Sequence, residues 1–171
     1  MPSPQAVIMA LEGMVSTQAT GAGGRQEVGL WVEMCKALLR APGIREETDI
    51  QFVLADDVDE TANVIDAGAT HVLAVLVETD SADAERDWVA ITDADSNTFD
   101  GTLALDNDDI IVIQPRAAAT DGTPEYVGMV FVGGPDTLGF PLDIGLSIGA
   151  DGRDGTNPAV DDLRVWVLYR N

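Results

Sequence analysis

The stretch Leu138–Gly149, LGFPLDIGLSIG, alternates apolar residues with small, polar or ring-constrained ones. Its apolar members fall on every second position: Leu138, Phe140, Leu142, Ile144, Leu146 and Ile148. Successive side chains of a β-strand point to opposite faces of a sheet, whereas a helical period would scatter these six around the helix. The pattern therefore predicts one long strand, with an apolar face in the core and a second face nearly bare of side chains.

From residue 48 onward the chain repeats this strand-and-turn pattern, with Asp, Asn and Gly between short apolar runs. Further strands are predicted at 50–54, 70–78, 87–93, 99–105, 109–114, 126–132 and 163–169. The run 70–78 is apolar on both faces, which is typical of a central strand. The acidic stretch 56–67 is expected to hold a helical turn or two, so a βαβ alternation could fit only around 48–78. The spacing favours an antiparallel β-sandwich or a jelly roll.

Two helices are predicted before the strands, so the expected class is mainly β with one or two N-terminal helices. Residues 4–20 have apolar residues at helical spacing and are interpreted as a short helix or an arm that orders on a neighbour. Residues 21–24, GAGG, read as a flexible break. Residues 25–40 carry a clearer stripe, formed by Val28, Trp31, Met34, Cys35, Leu38 and Leu39. We therefore expect an N-terminal arm, 1–24, and a domain of helix plus sandwich, 25–171.

Charge limits the possible partners. Thirty acidic residues against nine basic ones give a formal net charge of −21, and Lys36 is the single lysine. Such a surface repels phosphate, so direct binding to nucleic acid or to anionic membranes is not expected. The composition fits a saline environment or the codon usage of a GC-rich genome, and both remain open. No signal-peptide pattern and no apolar run of about 20 residues is present, so we expect a soluble protein.

The candidates for catalysis are few. His71 is the only histidine, and its place in the apolar run 70–78 indicates a hydrogen-bonded packing residue rather than a base. Cys35 lies on the apolar stripe of the second helix, where a free cysteine acts as a small hydrophobe. No feature of the sequence supports a catalytic Cys35–His71 pair. The chain contains no phosphate-binding loop, nucleophile elbow or HExxH pair, so we expect no enzyme and no cofactor.

Calcium is the one metal that the sequence raises. Asp93, Asp95 and Asn97 match the first half of an EF-hand loop, but Thr98 occupies the position of the turn glycine. Ala104 stands where the bidentate acid belongs. Because Asp is common in turns for conformational reasons, these three residues are only weak calcium candidates, and no metal is predicted.

Three features point towards assembly: the bare face of 138–149, the bulk on both faces of the final strand, and the N-terminal arm. We predict interface residues at Trp31, Gly145, Arg164, Trp166, Leu168 and Arg170. Two alternatives stay open, since Trp31 could pack on the chain's own core and the final strand could lie centrally under a helix. A bulky residue at Gly145 is expected to block assembly and to spare the fold.

These features together resemble the small β-sandwich proteins that decorate or cement the capsids of tailed viruses, the bacteriophages among them. The shared features are size, Asp- and Gly-rich turns, a short N-terminal segment and a strong final strand, Leu163–Arg170. The resemblance implies a virion structural protein on the capsid surface, a homotrimer that binds the major capsid protein and stabilises the shell. It transfers no residue role. Two alternatives are a binding module that recognises glycan or a host surface with calcium, and an enzyme on a jelly roll.

Overall fold

The computed structural model describes residues 3–18, 22–42, 44, 49–56, 58, 63–79, 87–92, 109–116, 118, 123–132, 139–142, 145–152 and 163–171. Two helices come first, α1 (Pro4–Gln18) and α2 (Ala22–Leu39). The strands that follow are β1 (Ile50–Ala55), β2 (Asn63–Asp66), β3 (His71–Thr79), β4 (Asp87–Thr92), β5 (Asp109–Ile113), β6 (Glu125–Val130), β7 (Phe140–Pro141), β8 (Leu146–Gly152) and β9 (Leu163–Arg170).

The strands form two antiparallel sheets. Sheet A has the order β1-β9-β3-β6, and the short β7 pairs with the first residues of β3. Sheet B has the order β2-β8-β4-β5. The predicted class, mainly β and antiparallel with one or two N-terminal helices, is confirmed, and the helices are two. The βαβ alternation that could have fitted only around 48–78 is not formed by the described residues, because the element between β1 and β3 is the strand β2 of sheet B.

The central strands of sheet A, β3 and β9, are buried on both faces, and each face belongs to a different core. One core contains residues of both sheets, among them Val75 and Val167 of sheet A and Ile148 of sheet B. The other core contains residues of both helices and of sheet A, among them Leu76 and Trp166. Because side chains alternate along a strand, β3 and β9 supply both cores in turn. The layers therefore run helices, sheet A, sheet B.

The two helices lie antiparallel on sheet A. Lys36 Nζ of α2 lies 2.9 Å from Glu12 Oε1 of α1, and Ile8 and Leu39 line one cavity. Ser3 caps α1, since its hydroxyl accepts a hydrogen bond of 3.3 Å from the backbone N–H of Ala6. The inward face of α1 is buried in the helix–sheet core. Neither α1 nor α2 is long and apolar enough to cross a membrane.

The helix boundaries correct one prediction. Ala22, Gly23 and Gly24 belong to α2, so the flexible break expected at 21–24 is wrong for these three residues. The proposed division of the chain at residue 24 falls within the first turn of α2. Helix propensity is low at glycine, but packing of the helix face on the sheet outweighs it.

The stretch 138–149 is divided between the two sheets, which corrects the prediction of one long strand. Its first part supplies β7 of sheet A and its last part supplies β8 of sheet B. Gly139 and Gly145 have φ angles of 98° and 69°, in the left-handed region where extended strand geometry ends. Of its expected apolar face, Leu142, Leu146 and Ile148 are buried and Phe140 is half-buried. On the opposite face Gly145 and Ser147 are buried and Pro141 is exposed.

The remaining strand predictions differ in outcome. The strands expected at 50–54, 70–78, 87–93, 109–114, 126–132 and 163–169 are confirmed to within a few residues. The helical turn expected in 56–67 is wrong over Asn63–Asp66, which forms β2 and pairs with β8. The strand expected at 99–105 lies outside the described residues, as do Leu138 and Ile144.

Substitution of Gly145 by alanine should destabilise the fold itself. A Cβ at this position would lie 2.7 Å from Ala67 Cα and 2.7 Å from Asp66 O, and the φ of +69° strains any L residue. We expect a loss of about 1–3 kcal/mol in the free energy of unfolding, measured by urea denaturation with circular dichroism. This replaces the expectation that a bulky residue here spares the fold.

Gly29→Ala is the matched control. A Cβ at Gly29 would meet no atom within 4 Å in the described part of the chain, and the residue lies inside α2. Alanine should therefore raise the free energy of unfolding by about 0.5–1 kcal/mol. If Gly145→Ala were as stable as the parent, the chain could not turn at Gly145 as described.

Candidate functional site

Four of the six predicted interface residues are buried in the chain's own cores. Trp31, Trp166 and Leu168 lie between the helices and sheet A. Gly145 packs against the backbone of Asp66 and Ala67. The surface role predicted for these four is therefore corrected. The alternative holds instead, because β9 is a central strand under a covering helical layer and Trp31 packs on its own core.

The two arginines of the predicted set are half-buried and lie at opposite ends of β9. Arg164 Nη1 donates a hydrogen bond of 3.1 Å to Glu78 Oε1, and Glu78 is itself buried. Arg170 lies opposite Ile50 of β1 and His71 of β3. The structure thus does not bring the six residues together into one surface.

The predicted catalytic and metal candidates do not form a cluster. Asp93, Asp95 and Asn97 lie outside the described residues, and among the described ones no group of three or more His, Cys, Asp or Glu could hold a metal ion. Cys35 is buried, and this burial raises the pKa of its thiol far above the ordinary range. His71 Nδ1 lies 3.1 Å from Thr70 Oγ1 at the start of β3.

Described residues form a groove between α2 and β6, the α2–β6 groove, which is smaller than the cavity of about 420 Å³ between the start of α1 and the end of α2. The volume of the groove is about 220 Å³, and its lining residues are Glu27, Leu30, Trp31, Met34, Arg116, Tyr126, Val127, Gly128 and Val130. Leu30 is 64% exposed and Met34 is 45% exposed. Met129 on β6 and Val132 just after it are exposed too, but they do not line the groove. Exposed apolar side chains such as Leu30 and Met34 in a groove are typical of interaction sites.

The floor of the groove depends on one tryptophan and one glycine. Trp31 Nε1 donates a hydrogen bond of 3.1 Å to the carbonyl oxygen of Met129 on β6. The indole lies against Gly128, where a Cβ would come within 2.6 Å of Trp31 Cδ1. Because Gly128 has no side chain, α2 can approach the edge of sheet A and fix the depth of the groove.

A polar row closes one end of the groove. Arg164, Glu78 and Tyr126 lie opposite one another on β9, β3 and β6. Burial of the phenol raises the pKa of Tyr126 above its ordinary value, and the nearby Glu78 carboxylate raises it further. The phenol therefore stays protonated. On the rim, Arg116 Nη1 lies 2.6 Å from Glu27 Oε1 of α2. The site is therefore apolar at its centre and charged around it.

One side of the groove is the outer edge of sheet A. The N–H of Phe131 donates a hydrogen bond of 2.9 Å to the carbonyl oxygen of Leu73, which fixes the alternation of the β3–β6 ladder. In that alternation the N–H and C=O groups of Gly128 and Val130 point away from β3. No strand of the described residues pairs with this edge of β6.

Sequence reasoning assigned none of the groove residues other than Trp31 to a surface. Met34 was placed on the buried stripe of α2, whereas it lies on the groove side and is half-exposed. Leu30 does not belong to that stripe, but it lies four residues before Met34 and therefore on the same side of the helix. This spacing is the feature of the sequence that indicates an apolar pair outside the buried stripe. The apolar run 126–132, interrupted by Gly128, was read only as a strand.

The comparisons with known proteins add no relative. No protein-family model matches the chain, and no curated protein matches it.

Substitution of Gly128 by alanine tests the floor of the groove. The added methyl group must displace the Trp31 indole, so we expect a loss of about 1–3 kcal/mol in the free energy of unfolding. The tryptophan emission should also shift to longer wavelength, because the displaced indole gains contact with water. Denaturant titration and fluorescence spectra measure the two effects.

Gly13→Ala serves as the control, since its Cβ meets no atom within 4 Å in the part of the chain that is described. It should leave the emission spectrum unchanged. Parental stability together with parental emission in Gly128→Ala would show that the indole does not lie over this glycine.

Proposed function

We propose that the protein is a capsid decoration (cement) protein, a structural protein of the virion that binds the major capsid protein. The α2–β6 groove is the observation that supports this proposal, because it offers an apolar binding surface on an otherwise acidic protein. We further propose that the two sheets form a β-sandwich and that the protein acts as a homotrimer on the capsid surface.

The energetics of such a role are those of apolar burial. Fully burying a leucine or methionine side chain contributes about 1.5–3 kcal/mol, so Leu30 and Met34 together could offset part of the cost of association. A shell presents the same contact at many equivalent positions. A modest affinity at each site would therefore stabilise the whole particle.

The fold and the charge support the same role. Sheet A has a core on each face, so the groove lies on a rigid support. A net charge of −21 disfavours binding to nucleic acid and leaves proteins as the favoured partners. The glycan-binding alternative depended on Asp93, Asp95 and Asn97, and no described contact favours it.

Virus particles whose genome encodes this chain provide the test. We expect quantitative mass spectrometry to find the protein at a copy number comparable to that of the major capsid protein. Particles that lack the protein should release their genome at lower temperature, and added purified protein should restore their heat stability. Sedimentation of the purified protein tests the trimer.

Surface variants sharpen this experiment. Leu30→Lys with Met34→Lys should fail to rebind the particles, because it places charges in the apolar groove. Met9→Lys is the control on α1, where Met9 is exposed and does not line the groove. Absence of the protein from particles, or equal rebinding by both variants, would contradict the proposal.

A further inference from the structure

We infer that the outer edge of β6, with which no described strand pairs, binds an extended, basic segment of a different protein, which adds a strand to sheet A. The apolar side chains of that segment would enter the α2–β6 groove. This inference rests on the proposed function, since it takes the groove as the partner site, and it specifies the conformation and charge of what binds there.

The backbone of β6 supports strand addition. Gly128 and Val130 direct their N–H and C=O groups away from β3, and Gly128 and Met129 are exposed. Natural proteins usually protect such an edge with charges, with shortness or with a bulge. β2 of sheet B has that protection, because it is four residues long and its register with β8 shifts. β6 is six residues long, which gives an edge of about 20 Å, and its register with β3 is regular. It is therefore protected neither by shortness nor by a bulge.

The side chains beside this edge favour an alternating segment. On the helix side of sheet A, Leu30 and Met34 form a wall above the edge, and Gly128 leaves a recess over Trp31. On the opposite side, Met129 is exposed alone. An added strand would place every second side chain in the groove and the others towards Met129.

Charge complementarity selects a basic segment. Glu125 is the first residue of β6, and the lining of the groove contains one acid, Glu27, and one base, Arg116. Because Arg116 pairs with Glu27, the groove lining carries no net positive charge that would repel a basic segment. With a net charge of −21 on the chain, a basic segment is attracted.

The same charges disfavour a second copy at this edge. Each copy carries a net charge of −21, so two copies repel each other, whereas a basic partner is attracted. The occupant is therefore a segment of another protein. Contacts between copies through other surfaces are unaffected by this argument.

Labelled synthetic peptides and the full chain test the inference by fluorescence anisotropy at low salt. The probe alternates valine and threonine and carries lysines at both ends. We expect saturable binding of this peptide, with affinity at least about tenfold lower when glutamates replace the lysines. N-methylation of the central amides should also lower the affinity at least about tenfold, because it removes the backbone hydrogen bonds.

Two matched variants locate the binding edge. Met129→Lys places a charge on β6, and Leu54→Lys makes the same change of charge on β1, the opposite edge of sheet A. The two side chains are similarly exposed, at 39% and 44%. We expect only Met129→Lys to weaken binding. A second variant, Val130→Pro, removes an outward N–H and should weaken binding in the same way.

Several outcomes would overturn the inference. These are absence of saturable binding up to about 1 mM peptide, full affinity of the N-methylated peptide, and an equal loss in Leu54→Lys. Self-association that Met129→Lys abolishes would place a second copy on the edge, and would also overturn it. Failure of the proposed function is separate, because the peptide could bind although the protein is missing from particles. Conversely, full decoration of particles by Met129→Lys would remove this inference alone.

Discussion

The pairing of β3 with β9 is the interaction on which the rest of the structure depends. The ladder runs from Thr79 opposite Leu163 to His71 opposite Arg170, and it joins residues more than eighty positions apart in sequence. It fills the centre of sheet A, with β1 beyond β9 and β6 beyond β3. Since alternate side chains of both strands enter different cores, loss of this ladder would open the helix–sheet core and the intersheet core together.

The candidate site follows from that arrangement. With β9 on one side of β3, β6 occupies the other side and becomes an edge strand. The helical layer must then reach this edge, and it does so through Trp31, whose indole rests on Gly128 and bonds to Met129. The direct result is an apolar groove next to a strand edge with which none of the described strands pairs. The proposed binding of a partner protein depends on these contacts and not on any catalytic group.

Local periodicity was sufficient to predict both helices and most strands, because the burial of a strand or helix face leaves its period in the sequence. It failed at 138–149, where alternation continues across Gly145 although the backbone there turns from one sheet to the other. Periodicity records which side chains are buried, and it does not record whether one strand or two strands bury them.

The site was harder to predict than the fold. Large side chains on both faces of a strand are expected in a central strand and in a strand at an interface alike. The sequence therefore predicts a surface position for Trp166 and Leu168, although helices cover them. Whether β6 is an edge strand is decided by pairing with distant residues, and its own sequence carries no sign of it. Leu30 and Met34 acquire their role only when α2 lies beside that edge.

Hydrogen exchange of single backbone amides, followed by nuclear magnetic resonance, tests the central claim most directly: sheet A is closed at its centre and open along β6. The amides within β3 and β9 should exchange only through global unfolding. Within β6, Val127 and Met129 should be protected, whereas Gly128 and Val130 should exchange orders of magnitude faster. Protection of Gly128 and Val130 equal to that of β9, or fast exchange within β3, would contradict the account.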